Sequence, residues 1–293
     1  MSGVMGRLGL AQAGTSRGRK RPNVKGTCDL VATKGDDPFA ATLKTIEGLG
    51  GMQRFVARGG TVVIKPNIGW DRAPEYAANT NPEVVAALVS LCFEAGAKRV
   101  NVFDIPCNSP QRTYENSGIK KAAERMGARV YFVDDWNTLK AQFDFDSPMS
   151  GWPIFKDAIE CDTFINVPIL KHHGLTGLTL SMKNLMGVCG GNRGQIHSDI
   201  GRKLVDLTYF INPDLTVIDA YRVLLNNGPT GGSLNDVKLI KTVIAGTDPT
   251  LVDTYACSLV GTDPRSIPYL AEAMDRKFGK SDISKASILE LNA

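Results

Sequence analysis

All three histidines of the chain, His172, His173 and His197, fall in one segment, residues 168 to 201. The same segment carries Lys171, Lys183 and Arg193 against one acid, Asp199. Imidazole ionises near neutral pH and suits proton transfer or metal ligation. The surplus of cations suits a phosphate, a carboxylate or a negatively charged cluster. Gly174, Gly177, Gly187, Gly190, Gly191 and Gly194 allow close backbone approach and can aim N–H groups at an anion. The segment matches neither Walker A nor Gly-x-Gly-x-x-Gly, so it is not read as a nucleotide site. The bland alternative is a solvated loop whose lysines face water while His172 and His173 cap strand ends. Titratable groups gathered with glycines favour a site over scaffolding.

Single members divide further. His172 and His173 are adjacent, so on extended backbone they point to opposite faces and at most one faces a pocket. Met182 and Met186 stand four apart, the spacing of one packed helix face rather than of soft metal ligands. Cys189 precedes Gly190 and Gly191, small neighbours expected to expose it, and nearby cations would favour its thiolate. Cys107, between Pro106 and Asn108 and close after Asp104, is the second candidate thiol. Cys92 and Cys257 lie in apolar helical patterns and read as core.

The elements that must position these groups alternate. Strands are expected over Cys28 to Thr33, Thr61 to Lys65, Arg99 to Phe103 and Ala128 to Val133. A helix starts at Asp36-Asp37-Pro38 and another at Asn81-Pro82-Glu83, each a cap followed by an N1 proline, and a third is expected from Thr113 to Met126. Beyond the polar stretch Asp144 to Trp152, strands are expected at Thr163 to Val167, Leu215 to Ile218 and Thr242 to Ala245. Helices follow at Thr250 to Val260 and Ile267 to Phe278.

Such alternation implies right-handed βαβ crossovers: an α/β protein with a Rossmann-like, mainly parallel sheet, helices on both faces, and a second α/β lobe. The lobes are expected at residues 27–146 and 147–293, the second carrying the Lys-His-His and Met-Lys-Asn motifs. Ligands in such sheets sit beyond the carboxyl ends of strands, which singles out Lys65, Asn67, Asp104 and Cys107. Asn226 to Ser233 is a turn-rich loop that reads either as a lid or as an ordinary connection.

Composition bounds the function. Apolar residues make up 43% and charged residues 22% of the 293, an ordinary globular balance with no apolar run long enough for a membrane helix. The formal charge of +4 is uneven. Residues 1–26 hold Arg7, Arg17, Arg19, Lys20, Arg21 and Lys25 and no acid, leaving a slightly acidic body, which argues against nucleic-acid binding. Leu8 to Ala13 ends in a small-x-small pattern, either chance or the remnant of an export signal. The six cysteines form no Cys-x-x-Cys pair, which disfavours zinc ribbons, thioredoxin chemistry and a self-contained ferredoxin motif.

A resemblance joins these motifs. Val63-Ile64-Lys65-Pro66-Asn67, Ser117-Gly118-Ile119, Leu170-Lys171-His172-His173, Met182-Lys183-Asn184-Leu185-Met186-Gly187, Asn226 to Gly232 and Gly246-Thr247-Asp248-Pro249 fall in the order seen in the domain of unknown function 362 family. The chain resembles that family over about residues 28 to 262. Its members are often described as iron-sulfur proteins, and the branch with Cys107 before Ser117-Gly118-Ile119 is commonly exported by the twin-arginine route. The resemblance thus implies a redox protein in the periplasm or, without export, the cytoplasm. A looser similarity to the lactate racemase family is an analogy of fold.

Two functional readings follow. In the first, an iron-sulfur cluster is held by Cys107, Cys189 and His197, with Lys65, Asn67, Asn184, Gly190, Gly191 and Arg193 around the cofactor, a homodimer completing the ligand count, and an electron-transfer partner. In the second, an isomerase- or transferase-type enzyme binds a small anion through Lys171 and Lys183, with His172 or His173 as acid–base catalyst and Asp104 orienting it.

Overall fold

The computed structural model describes residues 26–133 and 137–293. The expected basic tail and signal remnant therefore lie, but for Gly26, outside the described residues. The first half runs β1 (Leu30–Lys34), α1 (Pro38–Gly48), β2 (Thr61–Pro66), α2 (Pro82–Glu94), β3 (Arg99–Val102), α3 (Pro110–Asn116), α4 (Ile119–Arg125) and β4 (Arg129–Val130). Next come β5 (Thr138–Lys140), β6 (Pro153–Phe155), α5 (Asp157–Glu160), β7 (Thr163–Val167), β8 (Ile169–His173), β9 (Gly177–Thr179) and α6 (Ser181–Asn184). The chain continues through α7 (Ile200–Ile211), β10 (Leu215–Leu224), β11 (Val237–Gly246), α8 (Pro249–Leu259), α9 (Pro268–Asp275) and β12 (Ile288–Asn292).

The strands form a mixed, mostly parallel sheet in the order β12-β1-β11-β10-β7-β2-β3-β4, with β8 and β9 branching from β10. Only β5 and β6 pair apart from it. Alternate residues of each buried strand feed opposite cores, as a period of two requires. Val63 and Phe164 join one apolar cluster with α7, α8 and α9 residues such as Leu207, Leu251 and Leu270. Val62, Ile64 and Ile165 join the other, with Ile46 of α1 and Leu88 of α2. Helices thus cover both faces.

The boundary expected near residues 144–152 does not separate two sheets. β7 lies beside β2 in parallel register, Lys65 opposite Asn166, and β1 is flanked by β11 and β12 from the far end of the chain. Strands distant in sequence interleave, so both expected lobes share one sheet. The chain leaves β2 toward β3 and β4 on one side and returns to β7 on the other. The crevice beyond the carboxyl ends of β2 and β7 is therefore the sheet's switch point, the standard ligand position of open α/β sheets.

Local departures have physical causes. The helix expected from Thr113 to Met126 is two helices, broken at Gly118, whose φ of 71° lies in the left-handed region. The strand expected over Ala128 to Val133 shrinks to Arg129–Val130 at the sheet edge. Pro168 separates β7 from β8, letting Lys171 to His173 swing out as a hairpin with β9. Among the described residues no helix is long and apolar enough to cross a membrane.

Candidate active site

A cavity of about 470 Å³ opens at the switch point. Lys65 and Asn67 reach it from the end of β2, Asp104 and Cys107 from the loop after β3, and Lys171 and His173 from β8. Lys183 and Asn184 come from α6, Met186 and Gly187 from the 3-10 turn after it, and Arg193 and His197 from the next turn. Gly228 and Pro229 form a further wall, so the Asn226 to Ser233 loop borders the cavity.

The floor is a closed polar network. The Lys65 ammonium pairs with Asp104 Oδ1 at 2.8 Å, both side chains almost fully buried. Lys65 also donates to Asn184 Oδ1 at 3.0 Å, which accepts Asn67 Nδ2 at 3.1 Å. Asn184 Nδ2 donates to Asn166 Oδ1 (2.9 Å) and to the Lys65 carbonyl (3.2 Å). Asp104 further accepts the backbone N–H groups of Ile68 (2.7 Å) and Ile105 (2.9 Å). Burial pushes the Lys65 pKa down and Asp104 opposes that push. Gly187 makes the arrangement possible: a Cβ there would stand 1.8 Å from Asp104 Oδ1 and 2.6 Å from Lys65 Nζ.

The rim is different. Lys183 is only 8% exposed, and its ammonium donates to the Met186 thioether at 3.6 Å, a weak acceptor. Burial is the main cause that lowers its pKa to about 8. Lys171 is brought to about 7, first by burial and then by Lys183. Its Nζ donates to the Ala78 carbonyl at 2.5 Å and to Asn67 Oδ1 at 3.2 Å. A neutral amine has two N–H groups and one lone pair; both N–H groups are engaged, so the lone pair remains for the cavity.

His173 and His197 lie with their rings stacked, centroids 6.1 Å apart. The Leu175 N–H donates to His173 Nδ1 at 3.2 Å, which places the ring's proton on Nε2. Burial, then Lys183 and Lys171, lower the His173 pKa to about 3, so this imidazole is neutral at physiological pH. Burial and Lys183 also lower that of His197. Asp104 is the sole acid lining the cavity among the described residues, and Lys65 already compensates it. Arg193 lies alongside, donating to the carbonyls of Ile105 (2.7 Å) and Pro106 (3.0 Å) and so fixing the Cys107 loop.

Four of the expected site residues stand outside the cavity lining. His172 is on the opposite side of β8 from Lys171 and His173, its Nδ1 accepting the Gly228 N–H at 3.0 Å. Cys189 is fully buried in the core, and burial holds its thiol at about 12. Gly191 is exposed, but Gly190 is buried against Pro153, donating to the Pro153 carbonyl and accepting Trp152 Nε1–H, and the thiol beside it stays covered. Asp104 contacts Lys65 and backbone amides, not a histidine, so it does not orient one. Of the methionines, Met182 is core as its spacing implied, whereas Met186 faces Lys183.

Residues missed in the sequence complete the site. Asn166 ties the floor to α6 through Ser181 O. Asp253 of α8, fully buried, accepts the first N–H groups of α6, Ser181 at 2.8 Å and Met182 at 3.2 Å, and so aims Lys183 and Asn184. Burial raises its pKa to about 7. Neither left a local signal, because both act across the fold.

The donor set can be tested against an iron-sulfur cluster, which ordinarily takes four thiolates. All six cysteines fall among the described residues, and Cys107 alone lines the cavity. Among the described residues no three His, Cys, Asp or Glu side chains gather as a metal-holding group. The residues of this chain do not fit such a cluster here.

Comparison with known proteins locates relatives of this architecture. The model of a family described as a domain of unknown function (DUF362) matches residues 62–258, which include every residue lining the cavity. A thylakoid-associated protein of Synechocystis sp. is 30% identical over 240 residues, covering 79% of this chain and 73% of that protein. The lactate racemase apoprotein of Thermoanaerobacterium thermosaccharolyticum superposes with a TM-score of 0.46 at 13% identity, over 78% of this chain and 56% of that one.

Proposed function

This chain belongs to the DUF362 family, and for this member we propose an enzyme that binds a small anionic substrate and moves a proton on it, an isomerase-type reaction. The observation that carries this reading is Lys183, a buried ammonium at the cavity whose acceptor is a thioether. Burying a charge without a partner is costly, and a phosphate or carboxylate oxygen supplies the missing one. Arg193 on the same wall adds to the positive field.

The chemistry then divides among the chain's own residues. Lys171, near half-deprotonated at neutral pH, accepts a proton from the bound substrate and becomes an ammonium. The anion beside it stabilises the ammonium so formed, which returns the proton to the substrate at the new position or face and regenerates the neutral amine. The His173 Nε2–H donates to the substrate oxygen on which negative charge develops. Each such group contributes about 100- to 10,000-fold to a rate.

The reading is tested by following the thermal unfolding of the protein in oxalate, lactate, sulfate and inorganic phosphate. At least one of these anions is expected to raise the Tm of the wild type, and Lys183→Met to abolish the rise while leaving the starting Tm no lower. Equal shifts in both proteins would overturn it.

A further inference from the structure

We propose that the cavity beside this site is a second subsite, so that the substrate is an elongated molecule whose second oxyanion, a carboxylate or a phosphate, is held by Arg72. The inference rests on the anion-binding reading above and extends it to the far end of the substrate. The second cavity has a volume of about 300 Å³ and is lined by Asp71, Arg72, Ala73, Tyr76 and Gly232.

Arg72 is a cation with donors to spare. Its Nε is buried and has no hydrogen-bond partner, and one terminal nitrogen reaches only the Asp71 carbonyl, at 3.4 Å. The adjacent Asp71 carboxylate, which also lines the cavity, makes no direct ion pair with it and is engaged by Arg112 Nε at 3.0 Å and Asn116 Nδ2 at 2.6 Å. A guanidinium presents a planar fork of N–H groups that matches an oxyanion, and here its terminal nitrogens make a single long contact among the described residues. The fork is mounted on fixed backbone. Asn79 accepts the Trp70 N–H at 2.9 Å and donates to the carbonyls of Trp70 (2.8 Å) and Arg72 (3.2 Å).

Two loops line both cavities in succession. Gly69 and Trp70 face the first and Asp71 to Ala73 the second; Gly228 and Pro229 face the first and Gly232 the second. The loops also touch, since a Cβ on Gly231 would stand 3.6 Å from the Tyr76 carbonyl. The two cavities are thus flanked by the same pair of loops, and a ligand with its head at Lys171 and Lys183 would reach Arg72 by running along Trp70.

Calorimetric titration with inorganic phosphate as head-group probe, and with malonate, glutarate, adipate and suberate as a length series, tests this. In the wild type one of the longer dicarboxylates is expected to bind about 10-fold or more tighter than malonate, the gain of a second tethered contact. Arg72→Gln is expected to erase that gain and leave phosphate affinity unchanged, with Arg72→Lys intermediate, while Lys183→Met weakens phosphate and dicarboxylates alike. Far-UV circular dichroism of each variant confirms that the fold is kept. A flat length series, or a length gain that survives Arg72→Gln, would overturn the second subsite while leaving the first intact. Loss of dicarboxylate binding in Arg72→Gln with none in Lys183→Met would instead overturn the anion reading of the first cavity, and the bridging proposal with it.

Discussion

The floor and the rim of the cavity are built from the same residue types and do opposite things. On the floor, Lys65 has Asp104 and Asn184 as partners, and every contact is closed within the chain. On the rim, Lys183 has a sulfur and Lys171 has two neutral oxygens, with no carboxylate on either. A buried charge that is satisfied inside the protein is scaffold, and removing its partner strands it. A buried charge left unsatisfied weakens the free protein and is retained for what it does with a ligand. The contrast separates Lys65 from Lys171 and Lys183, a distinction that residue type alone does not make.

Substitutions can break this contrast, beginning with the floor. Asp104→Ala leaves the Lys65 ammonium buried without its carboxylate, and urea unfolding is expected to show a loss of ~3–5 kcal/mol. Gly187→Ala should be comparably damaging, since its Cβ would meet the same pair. A smaller loss of ~1–3 kcal/mol is expected for Asp253→Asn, which keeps one acceptor for the two α6 amides and offers an N–H to the other. Such a variant should also lose anion affinity, because α6 carries Lys183. On the rim, Lys183→Met is expected to change stability by less than ~0.5 kcal/mol or to raise it. If instead the rim substitution costs as much as Asp104→Ala, the two regions do not differ in kind.

The same contrast should appear in the pH dependence of stability. Lys171 at about 7 and Lys183 at about 8 both lie below the ordinary lysine value of 10.5. Between those values the unfolded chain holds protons that the folded chain has released. Ligand-free stability should therefore rise with pH from about 7 toward 10.5, from these two groups. Anion affinity should fall over the same range, because the charged amines are lost. Denaturant titration at a series of pH values, repeated in Lys183→Met, isolates the part due to Lys183.

Much of the fold was legible because its central strands are buried on both faces. Thr163–Val167 combines β-branched and apolar residues with a single amide, Asn166, and is β7, buried throughout, and Asn81 and Asp248 announce their helices as caps. The strand-end rule likewise led to Lys65, Asn67 and Asp104, all of which line the cavity. What escaped depends on tertiary contact. The β8–β9 hairpin is hidden by polar side chains that only the cavity makes sense of, and α7 carries Gly201, which reads locally as a breaker yet packs against Pro268. Cys189 was misplaced because glycine neighbours imply exposure, whereas Gly190 is buried against Pro153.

The most direct test of the central claim is a proton count. Phosphate binding should be measured calorimetrically at pH 8.5 in buffers of different ionisation heat, with wild type and Lys183→Met. Because Lys183 is then largely neutral and a bound anion favours its charged form, the wild type is expected to gain up to about one proton per phosphate bound, and the variant distinctly fewer. Binding with no proton uptake, or no phosphate binding at any pH, would contradict the account.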